Sequence, residues 1–129
     1  MDLETLAHIT CQIALEAGDK IMEIYQQPEL TITHKDDRSP LTAADLASHH
    51  HIVDCLRELT PDYPVLSEES AHIPFSTRQH WQTYWLIDPL DGTREFIKRN
   101  DQFSILIALI HQHEPVLGVV YAPALGELW

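Results

Sequence analysis

Basic residues are scarce in this chain of 129 residues. Eight Lys and Arg stand against 20 Asp and Glu, which gives a formal net charge of −12 at pH 7. Because phosphate backbones attract Lys and Arg, this balance argues against general binding of nucleic acid. The same excess of carboxylates suits a protein that binds divalent cations through oxygen ligands.

Cysteine and long apolar runs are also scarce. Cys11 and Cys55 do not form a C-x-x-C pair, so no zinc or redox motif is indicated, and we expect two reduced thiols in helices. The N-terminus lacks the basic start and apolar stretch of a signal peptide, and no apolar run is long enough to cross a membrane. These absences predict a cytoplasmic protein without a transmembrane segment.

The spacing of apolar residues predicts two helices in the first half of the chain. The first covers residues 3–27 and ends at Pro28, and residues 29–40 are expected to form an extended loop. The second helix is expected to start near residue 42 and to end before Pro61. Its buried side is expected to consist of apolar residues at helical spacing: Leu46, Ile52 or Val53, and Leu56.

The remainder of the chain is predicted to form strands. The segment FSILIALI is apolar on both faces, which is typical of a central strand. Helices followed by strands predict an α+β fold, with two N-terminal helices packed on a largely antiparallel sheet. The last strand is only beginning at Trp129, so we expect the chain to be the first part of a longer protein. The predicted strands cover residues 65–66, 84–87, 103–110 and 116–121, and a further one starts at 128.

The stretch DPLDGT places two carboxylates at the end of an apolar strand. That strand is expected to stop before Asp88, and a turn at Asp91 and Gly92 would direct both carboxylates and the Leu90 carbonyl toward one point. Oxygen ligands of this kind suit Mg²⁺. A helix opening after Thr93 would aim its free N–H groups at a phosphate. The alternative for each acid and for Thr93 is a role in capping a turn or helix.

Two further acids have a similar placement. Glu68 follows a short predicted strand, and Asp45 ends the stretch TAAD at the predicted start of the second helix. Alone, Glu68 is equally consistent with a solvated loop acid, and Asp45 with a capping box. Taken together, acids at the ends of rigid elements indicate a binuclear metal site acting on phosphate esters.

Three stretches in order carry a resemblance to a known family. KDDRSPLTAAD (residues 35–45), PVLSEES (64–70) and DPLDGTREFIKRN (88–100) resemble the inositol monophosphatase superfamily of Mg²⁺-dependent phosphatases. The residues after Gly-Thr, Arg94-Glu95-Phe96, resemble most closely the CysQ-type 3′(2′),5′-bisphosphate nucleotidases. The resemblance therefore implies hydrolysis of 3′-phosphoadenosine 5′-phosphate to AMP and phosphate, with two or more Mg²⁺ ions and a role in sulfur assimilation.

The resemblance also implies the role of each site residue. Asp45 and Thr93 would hold and activate the attacking water. The metal ligands would be Glu68, Asp88, Asp91 and the Leu90 carbonyl, and the substrate phosphate would lie against Glu68, Leu90, Asp91, Gly92 and Thr93.

The resemblance further implies that residues 1–129 are the N-terminal metal- and phosphate-binding part of a phosphatase, and that a C-terminal domain is needed to complete the site. An inositol or sugar phosphate phosphatase remains an alternative within the same class. A truncated, catalytically inactive metal-binding module remains an alternative from another class. Peripheral association with the cytoplasmic face of the inner membrane also remains open.

Overall fold

The computed structural model describes residues 2–25, 32–34, 40–67, 81–91 and 103–129. Within these ranges the chain forms two helices, a two-stranded hairpin and a five-stranded sheet. The predicted α+β arrangement is confirmed. No helix in the described ranges combines the length and apolar character needed to cross a bilayer.

Helix α1 (Leu3–Tyr25) and helix α2 (Ala43–Leu59) pack against each other. Asp2 caps α1, since its Oδ1 accepts a hydrogen bond of 2.8 Å from the Thr5 N–H. Both helices were predicted from their apolar spacing, with one error. Leu46, assigned to the buried side of α2, is 41% exposed, whereas the buried face of α2 contains Ala44, Ile52, Val53 and Leu56.

The main sheet has the order β3-β4-β5-β6-β7. Strand β3 runs parallel to β4, and the other neighbouring pairs are antiparallel, so the sheet is largely antiparallel as predicted. The apolar strand β5 is central, also as predicted. The bounds are β3 Val65–Ser67, β4 Thr83–Asp91, β5 Ser104–His111, β6 Glu114–Ala122 and β7 Glu127–Leu128.

One face of the sheet packs on the helices and forms the core. Strand register places Trp85 opposite Leu109 and Ile87 opposite Ile107, and all four side chains are buried. The Trp85 indole N–H donates to Thr60 Oγ1 at 2.9 Å, which ties β4 to the end of α2. On the opposite face of the same strand Leu86 is 36% exposed.

The segment predicted as an extended loop contains a small hairpin. Strand β1 (Ile32–His34) pairs antiparallel with strand β2 (Pro40–Thr42), which leads directly into α2. Strands of three residues are too short to show a recognisable alternation of apolar and polar residues. The pairing was therefore not visible in the sequence.

Candidate functional site

The start of α2 lies against the end of β4. Asp45, in the first turn of α2, is 2% exposed, and Ser48 is fully buried. The Ser48 hydroxyl donates a 2.6 Å hydrogen bond to the carbonyl of Pro89. Residues three apart on a helix share a face, so Asp45 and Ser48 both lie on the side of α2 that faces the DPLD segment.

The DPLD segment is a β-bulge. Asp88 pairs with Leu106 and Asp91 pairs with Ser104, so three steps along β4 match two steps along β5. One extra residue in a strand bends it and redirects its side chains, and such bulges are frequent beside active sites. The bulge also accommodates Pro89, which has no N–H to donate to a sheet ladder.

This geometry corrects the predicted strand end. Strand β4 does not stop before Asp88 but continues through Asp91. Proline and Asp-Gly are strong turn signals, and for this reason the strand was predicted to end too early. In the structure it changes its register with β5 and continues. Asp88 and Asp91 therefore both belong to one inner strand of the sheet.

A second contact joins α2 to the neighbouring strand. His49 Nδ1 lies 3.0 Å from the hydroxyl of Ser67, the last residue of β3. Strand β3 is parallel to β4, and Ser67 pairs with Ile87, the residue before Asp88. The adjacent residues Ser48 and His49 thus tie α2 to the carboxyl ends of both parallel strands.

Sequence reasoning missed Ser48 and His49. Both follow Asp45 at the i+3 and i+4 spacing that places residues on one helix face. That spacing was the available signal. The spacing alone could not identify the partners of these two residues. Ser67 lies 18 residues after His49 and Pro89 lies 41 residues after Ser48, and both are reached only because α2 docks against β3 and β4.

The structure brings together part of the predicted site. Asp45, Asp88 and Leu90 lie where α2 meets the bulge. Asp91 is described in its main chain, as the last residue of β4. Glu68, Gly92 and Thr93 lie outside the described residues.

The donor atoms at this junction suit a hard cation. Asp45 is buried, Oδ1 of Asp88 is a buried carboxylate oxygen, and Leu90 is 2% exposed. Burying a carboxylate is costly without a compensating charge or hydrogen bonds. Carboxylate and carbonyl oxygens are the ligands that Mg²⁺ prefers, so the residues present fit such an ion.

Known proteins share both the sequence and this fold. The chain is 59% identical over 120 residues to the 3′(2′),5′-bisphosphate nucleotidase CysQ of Salmonella typhimurium, covering 92% of this chain and 48% of the relative. It is 55% identical over 120 residues to CysQ of Escherichia coli, with the same coverage. The crystal structure of CysQ from Bacteroides thetaiotaomicron superposes with a TM-score of 0.82 at 46% identity, covering 98% of this chain and 45% of that one.

The chain therefore spans about half the length of the curated relatives that it matches. The family profile described as "Inositol monophosphatase family" matches residues 2–129. With nearly the whole chain matched by the profile, and with the fold shared, the protein belongs to the inositol monophosphatase family.

Proposed function

We propose that this chain is the N-terminal metal- and phosphate-binding part of a cytoplasmic phosphatase that removes the 3′-phosphate of 3′-phosphoadenosine 5′-phosphate. The observation that carries the proposal is the hydrogen bond from Ser48 to Pro89. It holds the buried Asp45 of α2 against the bulge that contains Asp88. The nucleotidase specificity is supported by the names and identities of the curated relatives.

The proposed role of each residue is the one that the family resemblance implies. Asp88, Asp91, the Leu90 carbonyl and Glu68 would hold Mg²⁺, which supplies Lewis acidity and neutralises charge on the phosphate. Asp45 and Thr93 would hold and activate the attacking water, whose proton would pass to the Asp45 carboxylate. Gly92 and Thr93, with Asp91, would seat the phosphate through main-chain N–H groups.

The described part of the chain would contribute to catalysis by holding the elements that carry catalytic groups in fixed relative positions. An error of about 1 Å in the position of a catalytic group can cost about 100-fold in rate. Ser48 and His49 fix the relative positions of α2, β3 and β4 through two side-chain contacts. These two contacts oppose sliding of α2, which contains Asp45, along β4, which contains Asp88.

The test is phosphate release with Mg²⁺ or with EDTA, from 3′-phosphoadenosine 5′-phosphate and inositol 1-phosphate side by side. It would be run on the chain itself and on a chimera in which the chain replaces the matching half of the Salmonella relative. The chimera separates two reasons for an inactive chain, namely a wrong assignment and a site that needs further residues.

Asp88→Asn is the decisive variant. Loss of a metal ligand should lower kcat/KM of the chimera by at least about 100-fold, since even residues that only support a ligand typically cost about 10–100-fold. Asp19→Asn, an exposed change of the same kind on α1, should leave turnover unchanged.

Preference for inositol 1-phosphate would favour the inositol phosphatase alternative. A folded chimera that cleaves neither substrate, or normal turnover by Asp88→Asn, would contradict the proposal.

A further inference from the structure

A second group of metal-ligand residues lies on the surface formed by the two helices. Glu16 of α1 and His51 and Cys55 of α2 each offer one ligand atom, and these atoms all lie within 4.8 Å of one another. His51 and Cys55 are four residues apart, so they occupy one face of α2 in successive turns. The residues belong to none of the motifs assigned above to phosphate chemistry.

Two of the three distances between the donor atoms are close to those of a tetrahedral site. His51 Nε2 is 3.0 Å from Glu16 Oε1 and 3.8 Å from Cys55 Sγ. Zinc bonds of about 2.0–2.1 Å to nitrogen, 2.0–2.2 Å to oxygen and 2.3 Å to sulfur place neighbouring N and O ligands about 3.4 Å apart, and N and S ligands about 3.6 Å apart. The third pair, the Glu16 carboxylate and Cys55 Sγ, lies within 4.8 Å. It would have to close to about 3.6 Å, which rotation of the partly exposed Glu16 side chain can provide.

The surroundings of the three side chains support an ion. Gln12 Nε2 donates to the other carboxylate oxygen of Glu16 at 3.4 Å, which helps to orient Oε1 toward His51. The charged groups near Cys55 are mainly negative, since Glu16, Glu58 and Asp54 outnumber Lys20. A cation is therefore favoured at this position over a further anion.

An ion can also reach the group from solvent. Glu16 and Cys55 line an open groove of about 480 Å³ between α1 and α2. The side chains of His51 and Glu16 are 19% and 45% exposed. Three protein ligands beside an open groove leave a fourth tetrahedral position for water.

We propose that Glu16, His51 and Cys55 form a Zn²⁺ site that links α1 to α2. The Cys55 thiol releases its proton to solvent as the sulfur–zinc bond forms, and neutral His51 binds through the lone pair of Nε2 with its own proton on Nδ1. Sulfur and nitrogen ligands select Zn²⁺ or Co²⁺ over Mg²⁺, so this site is chemically distinct from the oxygen-lined junction at β4. Cys55 lies about 10 Å along the α2 axis from Ser48.

Cobalt spectroscopy of the purified, reduced chain tests the site without reference to phosphatase activity. Titration with Co²⁺ in excess Mg²⁺ should produce the visible bands of tetrahedral Co²⁺ and a thiolate-to-metal charge-transfer band, saturating at one ion per chain. Zn²⁺ should displace both signals. Because Mg²⁺ occupies oxygen sites and gives no such band, failure of the phosphatase proposal would leave this result unaffected.

Matched cysteine variants identify the sulfur. Cys55→Ala should abolish the charge-transfer band and weaken Zn²⁺ binding by more than about 100-fold, because a direct ligand is removed. Cys11→Ala removes the other free thiol, which lies outside the group, and should keep the band. His51→Gln should lower affinity while circular dichroism shows an unchanged helix content.

Three results would overturn the inference. These are the absence of a thiolate band in the parent chain, its persistence in Cys55→Ala, or saturation at one ion per two chains.

Discussion

Ser48→Ala is the most informative single substitution in the described part of the chain. It removes a buried hydroxyl that donates to the Pro89 carbonyl at 2.6 Å, and it leaves that carbonyl without this donor in the core. A buried polar group that loses its partner costs about 1–3 kcal/mol, more than the net value of about 0.5–1.5 kcal/mol for a typical hydrogen bond. We therefore expect a loss of about 1–3 kcal/mol in the free energy of unfolding.

Urea denaturation measures this loss, and thermal unfolding provides a second readout. Values for domains of about 60–250 residues place the fall in Tm at about 2–8 °C for each kcal/mol. In the chimera with the Salmonella relative, the same variant should lower kcat/KM by about 10–100-fold, because the bulge that carries Asp88 is less firmly held. A purely structural role for Ser48 would lower stability and leave kcat/KM unchanged.

Thr10→Val is the matched control. Thr10 is also fully buried, and its hydroxyl donates at 2.6 Å to the Leu6 carbonyl within α1. That carbonyl also lies in position to accept the helical N–H of Thr10, so it does not lose its only partner. We expect a loss below about 1 kcal/mol and no change in turnover. Equal stability and turnover for the parent chain and Ser48→Ala would refute the reasoning.

Two further predictions concern α1. A Cβ at Gly18 would lie 2.4 Å from Cε2 of Tyr121, so Gly18→Ala should destabilise the chain by about 1–3 kcal/mol in urea unfolding, partly offset by the helix preference of alanine. In a Tyr121→Ala background most of this penalty should disappear, although the added Cβ would still lie 3.2 Å from Cβ of Pro123. An unchanged penalty there would exclude the Tyr121 clash as the cause. The backbone N–H of Thr5 holds the pKa of Asp2 below its usual value, so the carboxylate stabilises the fold above its unfolded pKa, and this contribution is lost as the pH falls through the folded pKa. The Tm of Asp2→Asn should therefore fall less than that of the parent chain between about pH 5 and pH 3. An identical dependence of Tm on pH in both chains would contradict a stabilising role for the Asp2 carboxylate at the start of α1.

The elements predicted correctly are those whose evidence is local. Apolar spacing located the ends of α1 and α2 to within a few residues. The segment FSILIALI, which is apolar on both faces, identified β5 as the central strand. A helix or buried strand needs apolar residues at the spacing of its own backbone repeat, whatever it packs against. That spacing can therefore be recognised in the sequence before the packing partner is known. The two cysteines were likewise placed correctly as free thiols in helices.

Errors arose where a residue's role depends on a neighbour distant in the chain. Leu46 has the spacing of a buried residue, yet no element within the described part of the chain covers it sufficiently, and it is 41% exposed. The DPLD segment contains turn signals, yet pairing with β5 keeps it in the sheet as a bulge. Local preferences are worth about 1 kcal/mol or less per residue, which tertiary packing readily overrides.

The sequence by itself determined the order of the two helices and the strands of the main sheet, the acidic character, and the residues to examine as metal and phosphate ligands. Those properties follow from composition, periodicity and motif spacing, which are local. Only the tertiary structure decided that Ser48 and His49 hold α2 against two parallel strands, and that Glu16 meets His51 and Cys55. Glu16 and His51 are 35 positions apart, and their contact exists because buried apolar faces dock α1 on α2 in one orientation.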